Sequence, residues 1–236
     1  MRQFRKEFLS KTGEKYVLKQ IDNIKHSELA MRMRAKALKD NEFYATDKWN
    51  YKNIGEQMKN CSRILVMGAM YGIYNEKREV ISTISHHNAL LRFMNDYQHL
   101  APSTIYISDL FRDTLKQLPQ DQLNGGKNYA YSCLGATKPE ARQNGLMKKL
   151  MYLQFQHCYE LDGYQNLLMF CTAYETYKVM SDIGAKPVKF YDLPEHLKLD
   201  CYKGDGIMQP GQGVCAAMCL ELKDIQQKAI EYNNSY

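Results

Sequence analysis

The sequence predicts a mixed α/β fold in which a mostly antiparallel central sheet is flanked by helices. Three observations carry this reading. Candidate elements run strand, helices, strand, strand, strand, helix, strand, helix, strand, strand, without the regular alternation of a doubly wound sheet. Two strand candidates, Arg63 to Tyr74 and Glu79 to Ser85, are separated only by a short polar turn beginning Asn75-Glu76-Lys77, which reads as an antiparallel hairpin. From Tyr129 to Cys171 the pattern is a strand, a leucine-bearing helix and a short buried strand.

Composition sets the frame for these elements. A chain of 236 residues and 27.5 kDa, with no internal repeat or interdomain linker, reads as one domain over residues 1–236. Its 44% hydrophobic and 25% charged residues exclude disordered and collagen-like classes. The longest apolar runs, Ile64 to Tyr71 and Gly213 to Leu220, fall far short of the roughly 20 residues a membrane span needs. Seven cysteines, an odd number with no CxxC pair, fit reduced thiols in an intracellular compartment, the cytoplasm before an organelle, and no metal site is expected. The net charge of +6 resides in residues 1–60, which hold 14 Lys/Arg against 8 Asp/Glu; residues 61–236 hold 18 of each.

The basic opening to Lys15 reads as an ordinary exposed N-terminus, since Glu7 and Glu14 argue against an organellar address. Tyr16 to Ile21 is the first strand, and Ser27 is placed to cap a helix from Glu28 to about Leu38. That helix carries Leu29, Met33 and Ala37 on one face and Lys25, Arg32, Lys36 and Lys39 near another, read as a solvated face. After the hairpin, Asn88 to Leu118 reads as two helical pieces divided near Ala101-Pro102, and Pro119 to Asn128 as a loop. Tyr129 to Gly135 is a strand. Gly145 to about Leu161 is a helix with Leu146, Leu150 and Leu153 on one face. Asn166 to Cys171 is a buried strand, Thr172-Ala173-Tyr174-Glu175 has capping-box spacing for the next helix, and Gly184 is placed to end it. Pro187 to Tyr191 and Val214 to Leu222 are strands around a Gly- and Pro-containing loop, and a polar tail follows from Asp224.

The chemistry-bearing stretch is Lys138-Pro139-Glu140-Ala141-Arg142-Gln143-Asn144-Gly145-Leu146-Met147, a loop entering a helix. A helix N-terminus offers N–H groups without intrahelical acceptors, and its dipole favours negative charge, so the place suits phosphate. Glycine at 145 allows close approach of a ligand to the backbone. No carboxylate occurs from Ala141 to Tyr159, while Arg142, Lys148 and Lys149 cluster at the first turn. Cations there oppose the dipole by roughly 0.3–1 kcal/mol each, a penalty that a bound polyanion reverses.

The run Pro139-Glu140-x-Arg142-Gln143-x-Gly145-Leu146-Met147-x-x-Leu150 resembles the acyl-CoA motif of the GNAT superfamily of acyl-CoA-dependent N-acyltransferases. The order of elements from about Lys15 to about Leu222 is similar to that family as well. The resemblance implies an acyltransferase that moves an acyl group, acetyl first, from acetyl-CoA or another acyl-CoA to a primary amine by direct attack. It implies a cofactor-binding core over residues 129–191. Backbone groups of Arg142, Gln143, Asn144, Gly145, Leu146 and Met147 would hold the pyrophosphate, and Leu134, Gly135, Ala136 and Thr137 would lie along the pantetheine arm.

Three positions depart from the family pattern. Met147 stands where Gly or Ala is usual, Tyr174 where an Asn often contacts CoA, and Met180 where a Tyr often protonates the departing thiolate. Tyr177, one helical turn before Met180, is the candidate acid in its place. No general base is identified: His86 and His87 read as one buried and one exposed histidine, His157 as a packing residue, and Cys133 as a buried strand cysteine without a nucleophile's surroundings. The acceptor is an amine of unspecified size, small molecule or protein. The rival reading is a non-catalytic GNAT-fold interaction or assembly subunit; a nucleic-acid binder lacks any accompanying motif.

Overall fold

The computed structural model describes residues 5–10, 12–37, 68–90, 102–123, 128–193 and 213–234. Its elements are β1 (Arg5–Leu9), β2 (Lys15–Gln20), α1 (Ile24–Ala37), β3 (Gly68–Tyr74), β4 (Val80–Asn88), α2 (Pro102–Lys116), α3 (Gln120–Leu123), β5 (Tyr129–Thr137), α4 (Leu146–Glu160), β6 (Asn166–Cys171), α5 (Tyr174–Ile183), β7 (Lys186–Asp192), β8 (Val214–Glu221) and α6 (Leu222–Asn234). The described strands form one eight-stranded sheet in the order β1-β2-β3-β4-β5-β6-β8-β7. Every neighbouring pair is antiparallel except β5 and β6, which α4 connects as a parallel crossover. The predicted class is the observed one.

The two sheet faces carry different helices. On one, Leu146, Leu150, Leu153 and Phe155 of α4 pack over Tyr71, Ile73, Ile84 and Leu167, with Met180 of α5 and Ile225 and Ala229 of α6 in the same core. On the other, Ala30, Met31 and Met33 of α1 cover Met70, Val80 and Ala136, while Phe111 and Leu115 of α2 cover Tyr129, Tyr131 and Leu168. No helix among the described residues is long and apolar enough to cross a membrane.

Local chemistry revises several boundaries. Arg5–Leu9, expected to be an exposed terminus, is the outermost strand, paired with β2 from Arg5↔Lys19 to Leu9↔Lys15. Ser27 lies inside α1 with its hydroxyl donating to the Ile24 carbonyl at 2.7 Å, and the cap is Asn23, whose Oδ1 accepts the His26 N–H at 2.9 Å. Leu29 is 44% exposed, and Ala30, Met31 and Met33 form the buried face instead. The stretch read as a loop after Pro119 contains the short helix α3. The Thr172–Glu175 capping box does not form, because Ala173 is the N-cap and no side chain caps the helix. Gly184 does end α5, at φ 108°, with its N–H donating to the Met180 and Ser181 carbonyls. The polar tail is the regular helix α6. Residues 63–67, 91–101, 124–127 and 203–212, together with Lys39, lie outside the described residues.

Candidate active site

The parallel pairing of β5 with β6 runs from Tyr129↔Asn166 to Ser132↔Met169 and stops there. β6 nonetheless continues to Cys171, paired with Ala216 of β8, and β5 continues to Thr137, paired with Ser82 of β4. From Cys133 onward the β6-facing edge of β5 has no strand partner among the described residues, so a gap opens in the middle of the sheet. Main-chain groups along such an edge require other hydrogen-bonding partners. A bulge adds to the divergence: Thr83 pairs with Ala136 and Ser85 with Cys133, leaving Leu134 and Gly135 opposite Ile84 alone.

The loop from β5 to α4 sits at the same end. A short 3₁₀ turn, Pro139–Ala141, precedes extended Arg142; Gln143 and Gly145 then adopt left-handed φ values of 67° and 75°. No N–H from Gln143 to Lys148 meets a backbone acceptor among the described residues; the first helical bond is from Lys149 N–H to the Gly145 carbonyl at 3.0 Å. Gly145 is the N-cap and has no side chain to occupy those donors, and the first turn holds no acid. Beyond Gly145, a depression is lined by Phe8, Leu9, Ser10, Asn144, Lys149 and Tyr232. Its β1 wall was not anticipated, because β1 was not.

The three cations of this turn divide. Arg142 is exposed, with Nε 3.5 Å from the Thr137 carbonyl. Lys149 is only 3% exposed; its ammonium lies over Phe8 and Tyr232 and 3.5 Å from the Tyr232 carbonyl near the C-terminal end of α6. Burial, with Lys6 nearby, lowers its pKa to about 8. Lys6 bonds the neighbouring Asn233 carbonyl, so both amines meet the negative end of the α6 dipole. Lys148 lies over the Tyr152 and Tyr232 rings. The cluster expected around an anion is therefore largely a clamp on α6.

The other predicted positions resolve as follows. Met147 packs against the main core and points at β5, its Sδ and Cε being 3.8 and 3.7 Å from where a Cβ on Gly135 would stand. Gly135 is exposed, Ala136 buried, and Thr137 Oγ1 bonds Ser82 Oγ at 2.7 Å. Met180 is 0% exposed within the core, while Tyr177 is half-buried with its ring edge-on to Phe190 at 5.9 Å. His157 is a packing residue, its Nδ1 hydrogen-bonded with the Tyr71 hydroxyl at 3.0 Å, and burial pushes its pKa down to about 4. Cys133 is half-exposed, not buried, with Sγ 3.3 Å from Ser85 Oγ. The histidine pair splits as expected in kind: His86 is fully buried against Asp162 at 2.6 Å, and His87 is half-buried on the opposite face.

That opposite face, beneath α2, is aromatic. Tyr131 meets Phe111 at 4.7 Å, His87 at 5.5 Å and Phe170 at 6.1 Å, and Phe170 meets Tyr191 at 6.4 Å. Tyr191 donates to Asp113 Oδ2 at 2.9 Å and lies 2.7 Å from the Thr114 hydroxyl, joining β7 to α2. Lys189 and Tyr191 hold the Asp113 carboxyl below its usual range. Sequence spacing had not singled out this wall.

This mixed sheet, which separates beside its one parallel pair at a helix N-terminus, has the GNAT fold of solved N-acetyltransferase structures. Arylalkylamine N-acetyltransferase 2 from Aedes aegypti superposes with a TM-score of 0.65 at 10% identity, over 88% of this chain and 99% of that one. The C-terminal condensation domain of Ebony, in complex with β-alanyl-dopamine, gives 0.65 at 10% identity, again over 88% and 99%. Drosophila melanogaster polyamine N-acetyltransferase, which forms N-acetylagmatine, gives 0.61 at 14% identity over 87% and 99%. No protein-family model and no curated protein matches the sequence.

Proposed function

We propose that this chain is an acyl-CoA-dependent N-acyltransferase that transfers acetyl from acetyl-CoA to a primary amine by direct attack, with residues 129–191 as the cofactor-binding core of one domain. The observation that carries this is the meeting, at one end of β5, of a strand edge that β6 no longer pairs and a run of N–H groups that meet no backbone acceptor among the described residues. A pantetheine arm is an amide chain able to pair with that edge, and a pyrophosphate is an anion suited to those donors. The residues fit the group: Gly145 presents no Cβ, no acid stands in the first turn, and Met147 is turned toward Gly135.

On this reading, main-chain groups from Gln143 to Met147 hold the pyrophosphate, assisted by Arg142, and Leu134 to Thr137 lie along the arm. When bound, acetyl-CoA supplies an activated thioester. Placed at the gap, it is open to an amine arriving from the aromatic face under α2. Tyr177 donates a proton to the departing thiolate. A second reading, a GNAT-fold interaction subunit, draws on one observation: the position where the family often has its acid is a core methionine.

Thermal-shift or calorimetric titration with acetyl-CoA and CoA tests the cofactor assignment. At 100 times its dissociation constant a ligand stabilises the folded state by about 2.7 kcal/mol. Gly145→Asp should abolish that stabilisation while the fold persists, since Asp tolerates left-handed φ but sets a carboxylate against phosphate. No shift in the wild type at millimolar ligand, or retained affinity in folded Gly145→Asp, refutes the assignment.

A further inference from the structure

We infer that His87 is the general base that deprotonates the acceptor ammonium, an inference that rests on the acyltransferase reading above. Strand pairing places it. His87 pairs with Tyr131 on β5, and Ser85 with Cys133, the first β5 residue beyond the β6 pairing. Tyr131 belongs to the α2-side core, and Cys133 packs against it, so both face the side from which the acceptor arrives. Along a strand, two residues span about 7 Å. The His87 ring, packed edge-on to Tyr131, thus stands about two residues along the sheet from where the gap begins, a span that a water and the substrate amine can bridge.

The ring's chemistry is set by its neighbours. Nδ1 lies 2.8 Å from the Asn88 carbonyl. A carbonyl only accepts, so Nδ1 carries the proton and the neutral ring holds its lone pair on Nε2. Nε2 has no hydrogen-bond partner among the described residues. The ring is also held in place: a Cβ on Gly68 of β3 would come within 2.9 Å of His87 Cα and Cβ, so β3 presses closely on the histidine backbone. The adjacent His86 cannot take the role. It is fully buried on the α4 side and paired with Asp162. The titratable groups nearest His87 in register on its own face are Tyr131 and Cys133.

The proton balance is complete. Nε2 takes one proton from R–NH₃⁺, and the freed amine attacks the thioester carbonyl to form the C–N bond. Collapse breaks the C–S bond; the thiolate gains a proton from Tyr177 or water, and the nitrogen's second proton, passed through water, replaces it. One proton is released to solvent per turnover, by way of His87.

The test compares wild type with His87→Gln, a neutral residue of similar size, using acetyl-CoA and a panel of primary alkylamines, with hydrazine as a weaker base whose free-amine fraction at pH 7 is far larger than an alkylamine's. Acetyl-CoA should shift the melting temperature of both proteins equally. With alkylamines kcat/KM should fall roughly 10²–10⁴-fold in His87→Gln at neutral pH, and the deficit should shrink as pH rises and the free amine becomes abundant. With hydrazine the deficit should be less than tenfold. A merely structural role would lower both acceptors alike. Equal losses with alkylamine and hydrazine, or unchanged alkylamine turnover and pH profile in His87→Gln, overturn the base assignment while leaving the cofactor reading intact. A wild type that binds acetyl-CoA yet releases no thiol with any acceptor overturns the assignment along with catalysis, and a wild type that fails to bind overturns the reading beneath it.

Discussion

Acidification should unfold this protein in part through His157. His157 stands on the buried side of α4, 9% exposed, and burial, reinforced by the proximity of His86, lowers its pKa from 6.5 to about 4. Because the folded value lies below the unfolded one, the unfolded chain binds the additional proton between them. Stability is therefore complete above about pH 6.5 and declines as pH falls toward 4. A shift of this size, at 1.36 kcal/mol per pH unit, corresponds to a loss of about 3 kcal/mol. Urea denaturation from pH 7 to pH 4 would measure it in wild type and in His157→Gln. The variant loses the ring's hydrogen bond with the Tyr71 hydroxyl at 3.0 Å and starts from a lower level, so the slope with pH is the readout. The difference in slope isolates His157 from the nearby His86–Asp162 pair. Parallel stability curves for the two proteins would show that the ring accepts a proton without opening the core.

Two further outcomes are expected. Gln154, fully buried, accepts from Ser132 Oγ and donates to the Ser85 carbonyl, both at 2.8 Å, tying α4 to the two strands beside the bulge; Gln154→Leu should cost about 1–3 kcal/mol for each polar group left unpaired, measurable by chemical denaturation. Tyr177→Phe should leave acetyl-CoA affinity unchanged and lower turnover by a general-acid factor of roughly 10²–10⁴, and unchanged thiol release would assign protonation to water.

How much of this was legible follows from whether a feature depends on near or distant residues. The α4 helix was read almost to its ends, because Leu146, Leu150 and Leu153 repeat at helical spacing and Gly145 marks its start. The same spacing held a signal that went unread: Lys149 is three residues after Leu146 and four before Leu153, on the leucine stripe, so its burial was written in the sequence. Cap chemistry differs from the sequence reading twice: at Ser27 because Asn23 competes for the helix start, and at Thr172 because the N-cap falls one residue later, at Ala173, with no side-chain cap. β1 was missed because Arg5-Lys6-Glu7-Phe8-Leu9 has strand alternation only in part, and its pairing with β2 supplies the rest. The gap beside β5 is invisible in sequence. It arises where β6 stays with β8 while β5 stays with β4, a choice made by tertiary pairing.

The placement of the cations bears on what kind of anion site the α4 N-terminus can be. With Lys149 drawn onto the end of α6 and Lys148 over tyrosine rings, the exposed cation of the turn is Arg142, and N–H groups from Gln143 to Lys148 meet no backbone acceptor among the described residues. Recognition through the main chain depends on φ and ψ more than on side-chain identity, and the shape here depends on Gln143 and Gly145 in the left-handed region. A non-glycine residue held there costs about 1–2 kcal/mol. The helix stripe that buries Leu146, Leu150 and Leu153 fixes the other end of the same turn. Side chains, by contrast, are where this chain departs from the family pattern: at 180, where the family often has its acid, a methionine is packed into the core.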